Sequence, residues 1–477
     1  MDPAIADKLL SFQIAHTLQL SECLQGRNCV LDASDTGTGK TYCAVALCRI
    51  LGKIPFIICP KSVINTWGEV CGIFGIHPFG IANYEMLRGG KYMTEDLDVV
   101  QCPYIDKIVA GGDQGGKTDF VFQLPPEVIV IFDEAHRCKN SSTGTSRLLL
   151  SAGKTGNKIL LLSATISDKI DCFRPFGVVF RLYDRPQQYK PWMRRQLLIR
   201  RVGHRDRNLS DDEKKLDVIY RTVFPAMGSR MRIRELGDLF PQNHVTSQCY
   251  YLANHKEVDD LHREVNLAIQ ELRDKEKRAE ALAKIVRARQ RIELLKVPIF
   301  QDLAQEALDN GYSVAIFVNY RETMDQLCAH LETSCVIHGD QTLEERTGNI
   351  ADFQENRSRK IISIVQAGGV GVSLHDLHGH HPRMSIISPS WSGQDLVQVL
   401  GRIHRARALT PAIQKIVYCA KTYEEKICEL VKSKIRNLSA INDGDLASPA
   451  IPTEKIGEVN GAEDESFRYK ARRPTDP

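Results

Sequence analysis

The amino-acid sequence predicts an α/β protein of two tandem parallel-sheet lobes with a helical insertion between them. The first observation is a set of short apolar, β-rich runs, each passing through a polar or glycine-containing turn into a helical pattern: "NCVLDASD", "IPFIICP", "EVIVIFDE" and "NKILLLSAT". Continuous apolar strands alternating with helices indicate parallel sheets covered on both faces. The second is a repeat of that pattern later in the chain, in "YSVAIFVN", "TSCVIHG", "KIISIVQAGG" and "RMSIISPS". The third is length, since 477 residues exceed what one compact core accommodates.

The boundaries follow from the same pattern. Residues 1–193 form the first lobe and 297–446 the second. Between them, over 194–296, the strand signal fades and charge rises, with apolar residues at three- and four-residue steps, so a helical insertion is expected. Residues 447–477 are polar, with scattered proline and glycine, and read as a mobile tail.

Composition narrows the class. Hydrophobic content of 43% and charged content of 26% are those of an ordinary globular protein. A net charge of +4 permits a nucleic-acid partner without demanding one. The 14 cysteines lie singly, with no CxxC or zinc-type spacing, so reduced thiols in an intracellular protein are expected and a structural metal is not. The start, "MDPAIADKLLSFQ", lacks a cationic, apolar leader, and no apolar run is long enough for a bilayer. No membrane partner is expected.

One stretch carries specific chemistry. The strand "NCVL" runs into Asp35-Thr36-Gly37-Thr38-Gly39-Lys40-Thr41 and then into the helical "YCAVALCRIL". Backbone N–H groups and a helix N-terminus in this context hold phosphate, with Lys40 on the β/γ-phosphates and the Thr41 hydroxyl on Mg2+. Ser34 stands where the strict phosphate-loop pattern has its first glycine; a chance glycine turn is the plain alternative. The apolar run "EVIVIFDEAH" ends in Asp133, suited to hold Mg2+, and Glu134, suited to orient and deprotonate an attacking water.

These blocks, with "SAT" at Ser163 to Thr165, resemble motifs I, II and III of superfamily 2 helicases and translocases. The likeness continues through "SVAIFVNY", "VIHGDQTLEERTGNIADFQ", "VQAGGVGVSL" and "QVLGRIHRAR", over residues 8 to 440. "IICPKSVINTW", "NYEML", "DEAHRCKN" and "ISPSWSGQDLVQVLGRIHR" resemble the Snf-type branch, and "SLHDLHGHHPR" with "LSAINDGDL" is similar to helicases of large DNA viruses. The resemblance implies two RecA-like lobes, ATP and Mg2+ as cofactors, and hydrolysis coupled to movement on nucleic acid. DNA is the favoured partner, with RNA as the alternative.

The resemblance also implies roles. Arg402 and Arg405, three residues apart and so expected on one helix face, would reach the γ-phosphate when the lobes close. Gln13 would read adenine through its amide, and Gly371 would line the nucleotide. Ser163, Thr165 and Gln398 would couple the nucleotide site to the cleft. Lys61, Ser62, Gln366, Gly368 and Gly369 would face the phosphodiester track. Arg230, Arg232 and Arg234 could form a basic stripe, and Trp67 and Trp391 could stack on bases or pack inside. His375, His378, His380 and His381 match no zinc spacing and read as an exposed loop. A phosphate-loop kinase or transport ATPase would need neither arginine nor a second lobe, and a non-catalytic scaffold would not need these groups intact.

Overall fold

A computed structural model of the chain describes residues 1–94, 98–110, 117–164, 170–200, 210–236, 240–250, 255–272, 274, 277–368, 372–390, 392–419, 424 and 453–454. The described residues divide into two compact units, those of Met1–Gly237 and those of Asp238–Ile435 with Thr453–Glu454.

In the first unit, helix α1 (Ser11–Gln25) leads to β1 (Cys29–Asp32), α2 (Lys40–Leu51), β2 (Ile54–Cys59), α3 (Ile64–Ile73) and β3 (Gly80–Asn83). β4 (Val128–Asp133), β5 (Lys158–Leu162) and β6 (Gly228–Ser229) complete a parallel sheet in the order β6-β1-β5-β4-β2-β3. The strands are buried on both faces, and alternation sorts their side chains into two cores. Leu31, Phe56, Val130, Phe132 and Leu161 pack on one side with Leu148 and Phe176. Val30, Ile57, Ile131 and Leu160 pack on the other with Leu20, Val45 and Trp67. Register aligns Asp32 with Leu162 and Leu162 with Asp133, so both acids stand in one row where the strands end. In open parallel sheets this edge is where ligands bind.

Two antiparallel hairpins, Lys91–Met93 with Val99–Gln101 and Ile105–Ala110 with Lys117–Phe122, are inserted between β3 and β4. No apolar run announces them.

The second unit opens with β7 (Asn243–Tyr250), α4 (His255–Glu271) and α5 (Arg278–Leu295). There follow β8 (Ser313–Val318), β9 (Val336–Ile337), β10 (Lys360–Ile364), β11 (Arg383–Ile387), helix α6 (Gly393–Leu400), β12 (Ala412–Cys419) and β13 (Thr453–Glu454). The sheet order is β9-β10-β8-β11-β12-β7-β13, and every pairing is parallel. β13 falls in the stretch expected as a tail; the rest of 447–477 lies outside the described residues.

The stretch 194–296, where a helical insertion is expected, carries helices together with strands β6 and β7. Its first part, with helix Asp211–Val223 and strand β6, belongs to the first unit, and β7, α4 and α5 belong to the second. β6 is two residues long, and β7 reads "NHVTSQCY" without an apolar run, so neither carries a strand signature. Each is a strand because an existing sheet edge satisfies its backbone.

Candidate functional site

The loop between β1 and α2 takes its shape from two left-handed glycines, Gly37 at φ 87° and Gly39 at φ 86°. Both lie where an L side chain is strained. A Cβ on Gly39 would stand 2.2 Å from Gln13 Nε2, so a side chain there must displace the Gln13 amide. No side chain caps the start of α2, which leaves its first N–H groups facing the loop. Lys40 Nζ donates to the carbonyls of Ser34 at 2.8 Å and Asp35 at 3.1 Å, and the Thr38 hydroxyl donates to Asp35 O at 2.8 Å. Thr41 follows Lys40 in the first turn of α2, and Thr36 lies half-buried between Asp35 and Gly37.

Gln13 is buried against this loop. Its Nε2 donates to Thr38 O at 2.8 Å and its Oε1 accepts from Leu10 N at 2.8 Å, so its amide joins the start of α1 to the loop backbone. Asp35 turns its carboxylate toward Arg230 and Ile233. Arg230 therefore does not join an outward-facing basic stripe, and Arg232 pairs with Glu235.

At the end of β4 the Asp133 carboxylate accepts from Trp67 Nε1 at 2.9 Å and from Glu134 N at 2.9 Å, while the Tyr84 hydroxyl donates to Asp133 O at 2.7 Å. Burial, then the neighbouring Glu134, pushes the Asp133 carboxyl up to about 6, against the Trp67 hydrogen bond and the charge of Lys40. A divalent cation would favour the anion. Glu134 is left-handed at φ 51°, a strained conformation for a residue with a Cβ. Trp67 is fully buried, so it packs and does not stack on bases. Trp391 lies outside the described residues.

His136, which the sequence reading passed over, links the acids to the next motif. Its Nδ1 lies 3.2 Å from Glu134 Oε2 and 3.2 Å from Ser163 Oγ. Ser163 is buried just past β5, and its N–H donates to Asp32 O at 3.0 Å. The available signal was the "DEAH" pattern itself. Thr165 lies outside the described residues. On the same face, Lys61 is exposed and Ser62 half-buried in a 3-10 turn after β2.

In the second unit Arg402 and Arg405 do not share a helix, which corrects the expectation. α6 ends at Leu400, and both arginines lie in the irregular turn that follows, capped by Gly401. Their guanidinium groups nevertheless converge: Arg402 Nη1 donates to Val372 O at 3.0 Å and Arg405 Nη2 to the same oxygen at 2.8 Å. Arg402 Nε also donates to the carbonyl of Gln398, which is buried on α6. Gln366 and Gly368 fall in a helical turn, Val365–Gly368, with Gln366 exposed; Gly369 and Gly371 lie outside the described residues.

The histidine group is only partly an exposed loop. His378 Nε2 lies 3.3 Å from Glu355 Oε2, and His381 Nδ1 lies 3.0 Å from Gly311 O. His375 is half-buried, and burial, then Arg405 and Arg383, lowers it to about 4 against the charge of Asp376. Among the described residues no group of three or more His, Cys, Asp or Glu could hold a metal ion, and no helix is long and apolar enough to cross a membrane.

The family model described as "Helicase conserved C-terminal domain" matches residues 295–407. A protein of Acanthamoeba polyphaga mimivirus named "Putative ATP-dependent RNA helicase" is 38% identical over 454 residues, 92% of this chain and 84% of its own. Among solved structures, the Sulfolobus solfataricus SWI2/SNF2 ATPase core in complex with dsDNA is 17% identical, covers 89% of this chain and 90% of its own, and has a TM-score of 0.36. A Dbp5 variant of S. cerevisiae bound to RNA and ADP BeF3 is 14% identical, with 91% of each chain covered and a TM-score of 0.49. The chain belongs to the superfamily 2 helicases. It is an ATP-dependent enzyme of the helicase type, an ATP hydrolase with two RecA-like parallel-sheet lobes.

Proposed function

We propose that the protein is a Snf-type translocase that hydrolyses ATP to move along duplex DNA inside cells. The observation that supports this reading is the bond from Trp67 to Asp133. It ties the "INTW" block, which resembles the Snf-type branch, directly to the acid expected to hold Mg2+. An RNA substrate is the second reading, favoured by the name of the mimivirus relative.

In this proposal the N–H groups of the loop Gly37 to Thr41 and the start of α2 bind the β- and γ-phosphates, and Lys40 leaves its two carbonyl partners to join them. Thr41 and Asp133 would hold Mg2+, which would supply charge neutralisation at the phosphates. Two protein ligands with phosphate oxygens and water are its usual arrangement, so a larger acid cluster is not required. Glu134 accepts the proton of the attacking water, and His136 keeps its carboxylate oriented toward Ser163. Arg402 and Arg405, in a turn fixed by Gln398, stabilise charge on the transferred phosphoryl group. Alternation between open and closed states then biases movement along a strand held by Lys61, Ser62 and the loop at Gln366 and Gly368.

The test compares ATP turnover with duplex DNA, single-stranded DNA and RNA, together with triplex displacement. Duplex DNA should stimulate most and the third strand should be released. Stimulation by RNA alone would transfer the reading to RNA. Lys40→Ala and Glu134→Gln should each lower turnover by at least about 100-fold, and wild-type turnover in either would remove the assigned chemistry.

A further inference from the structure

The phosphate loop is bonded along its length to a second segment of the first unit. Beyond the paired residues of β1 and β6 the parallel ladder continues. Leu31 N donates to Met227 O at 2.9 Å, Ala33 N to Ser229 O at 2.9 Å, and Asp35 N to Met231 O at 3.0 Å. The step of two residues on each side is that of a parallel ladder, and it carries the pairing into the loop itself.

Side chains add to it. Met231 N donates to Ser34 Oγ at 2.9 Å, Ile233 N to Asp35 Oδ2 at 2.9 Å, and Arg230 Nη2 to Asp35 Oδ1 at 2.6 Å. The same Ser34 and Asp35 offer the carbonyls that hold Lys40 Nζ. His16 on α1 fastens both sides, with Nε2 3.3 Å from Ser34 Oγ and Nδ1 3.0 Å from Ser229 Oγ. Ser34, the departure from the strict glycine pattern, thus has a use that glycine lacks: its hydroxyl receives the neighbouring segment.

We propose that residues 228–233 are a positioning strap for the phosphate loop, with Arg230 and the Ile233 amide closing on Asp35, and that Asp35 is the clasp of this strap rather than a nucleotide ligand. The inference rests on the loop being the ATP site. Filling the loop and ordering the strap are one equilibrium, because a loop conformation that holds phosphate is the one whose N–H groups, Ser34 hydroxyl and Asp35 carboxylate meet the strap. Asp238, where the second unit begins, follows Ile233 closely in sequence. Arg230 and Ile233 act through the loop and touch no phosphate.

The experiment measures binding of a fluorescent ATP analogue to the full chain without nucleic acid, in Asp35→Ala, Arg230→Ala and the double variant. Each single change should weaken binding about 5- to 10-fold, and the double should match Asp35→Ala rather than multiply the two effects. Multiplied effects, or an Arg230→Ala variant with wild-type affinity, overturn the strap. Hydrogen exchange covers the case of a misfolded variant: in the wild type the Met231 and Ile233 amides should exchange at least about fivefold more slowly with the analogue bound. Unchanged exchange at saturation overturns it as well. A wild type that binds no ATP analogue refutes the ATP site instead; the strap then stands or falls on Asp35→Ala, which must speed exchange at Met231 and Ile233 in nucleotide-free protein.

Discussion

Trp67 donates its indole N–H to Asp133 Oδ2 at 2.9 Å from a fully buried position on α3. The bond crosses from the helix after β2 to the end of β4. Trp67→Phe keeps the aromatic packing and removes the donor, at a cost of about 1–3 kcal/mol for a buried carboxylate left short of a partner. The expected outcome is a lowered melting temperature without nucleotide and a several-fold higher Mg2+ concentration for half-maximal turnover. Thermal melts and a Mg2+ titration check the two effects.

Gly39 has no room for a methyl group. Gly39→Ala combines a left-handed φ of 86° with a Cβ 2.2 Å from Gln13 Nε2, so it strains the backbone by about 1–2 kcal/mol and displaces the amide that braces Thr38. Affinity for a fluorescent ATP analogue should fall at least about tenfold. Gly26→Ala is the control: nothing lies within 4 Å of its Cβ and its φ is negative, so affinity should stay at the wild-type level.

Arg402 and Arg405 share the Val372 carbonyl but differ in burial. Arg402 is 3% exposed and also bonds Gln398 O, so Arg402→Gln should lower the melting temperature as well as turnover. Arg405 is the less enclosed of the two. Arg405→Gln should lower turnover by about 100- to 1,000-fold with a smaller thermal shift. Paired melts and ATPase rates separate the structural role from the chemical one.

His375 should make stability pH-dependent. Its value is about 4 in the folded chain, against 6.5 ordinarily, because burial and the charges of Arg405 and Arg383 oppose protonation. Below pH 6.5 the unfolded chain takes up a proton that the folded chain does not, so stability falls as pH drops from 6.5 toward 4. The loss should be on the order of 1–3 kcal/mol across that window. Chemical denaturation at pH 7 and pH 5 should show a smaller drop for His375→Asn than for the wild type. Equal drops would assign the effect to other groups.

Much of the fold is legible in sequence, and the reason is burial on two faces. The runs "NCVL", "IPFIIC", "VIVIFD" and "KILLL" contain almost nothing but apolar residues because both sheet faces are covered. The same holds for "SVAIFV" and "RMSII". Strands without an apolar run escape: "GIAN", "NHVTSQCY" and the two-residue Gly228–Ser229 are held by backbone pairing, which leaves little trace in side-chain chemistry. The division of 194–296 between two units was hidden for that reason.

The local sequence by itself determined the glycine turn at Gly37 and Gly39, the acids Asp133 and Glu134 at a strand end, and the family, since these depend on residue types at fixed short spacing. Tertiary structure alone decided who meets whom across long separations. It brought Trp67 to Asp133, His136 to Ser163, and Arg230 and Ile233 to Asp35. It also placed Arg402 and Arg405 in a turn on one carbonyl instead of along a helix. A hydrogen bond between residues nearly two hundred positions apart follows from sheet order and register, and neither is written in the local pattern of the residues that make it.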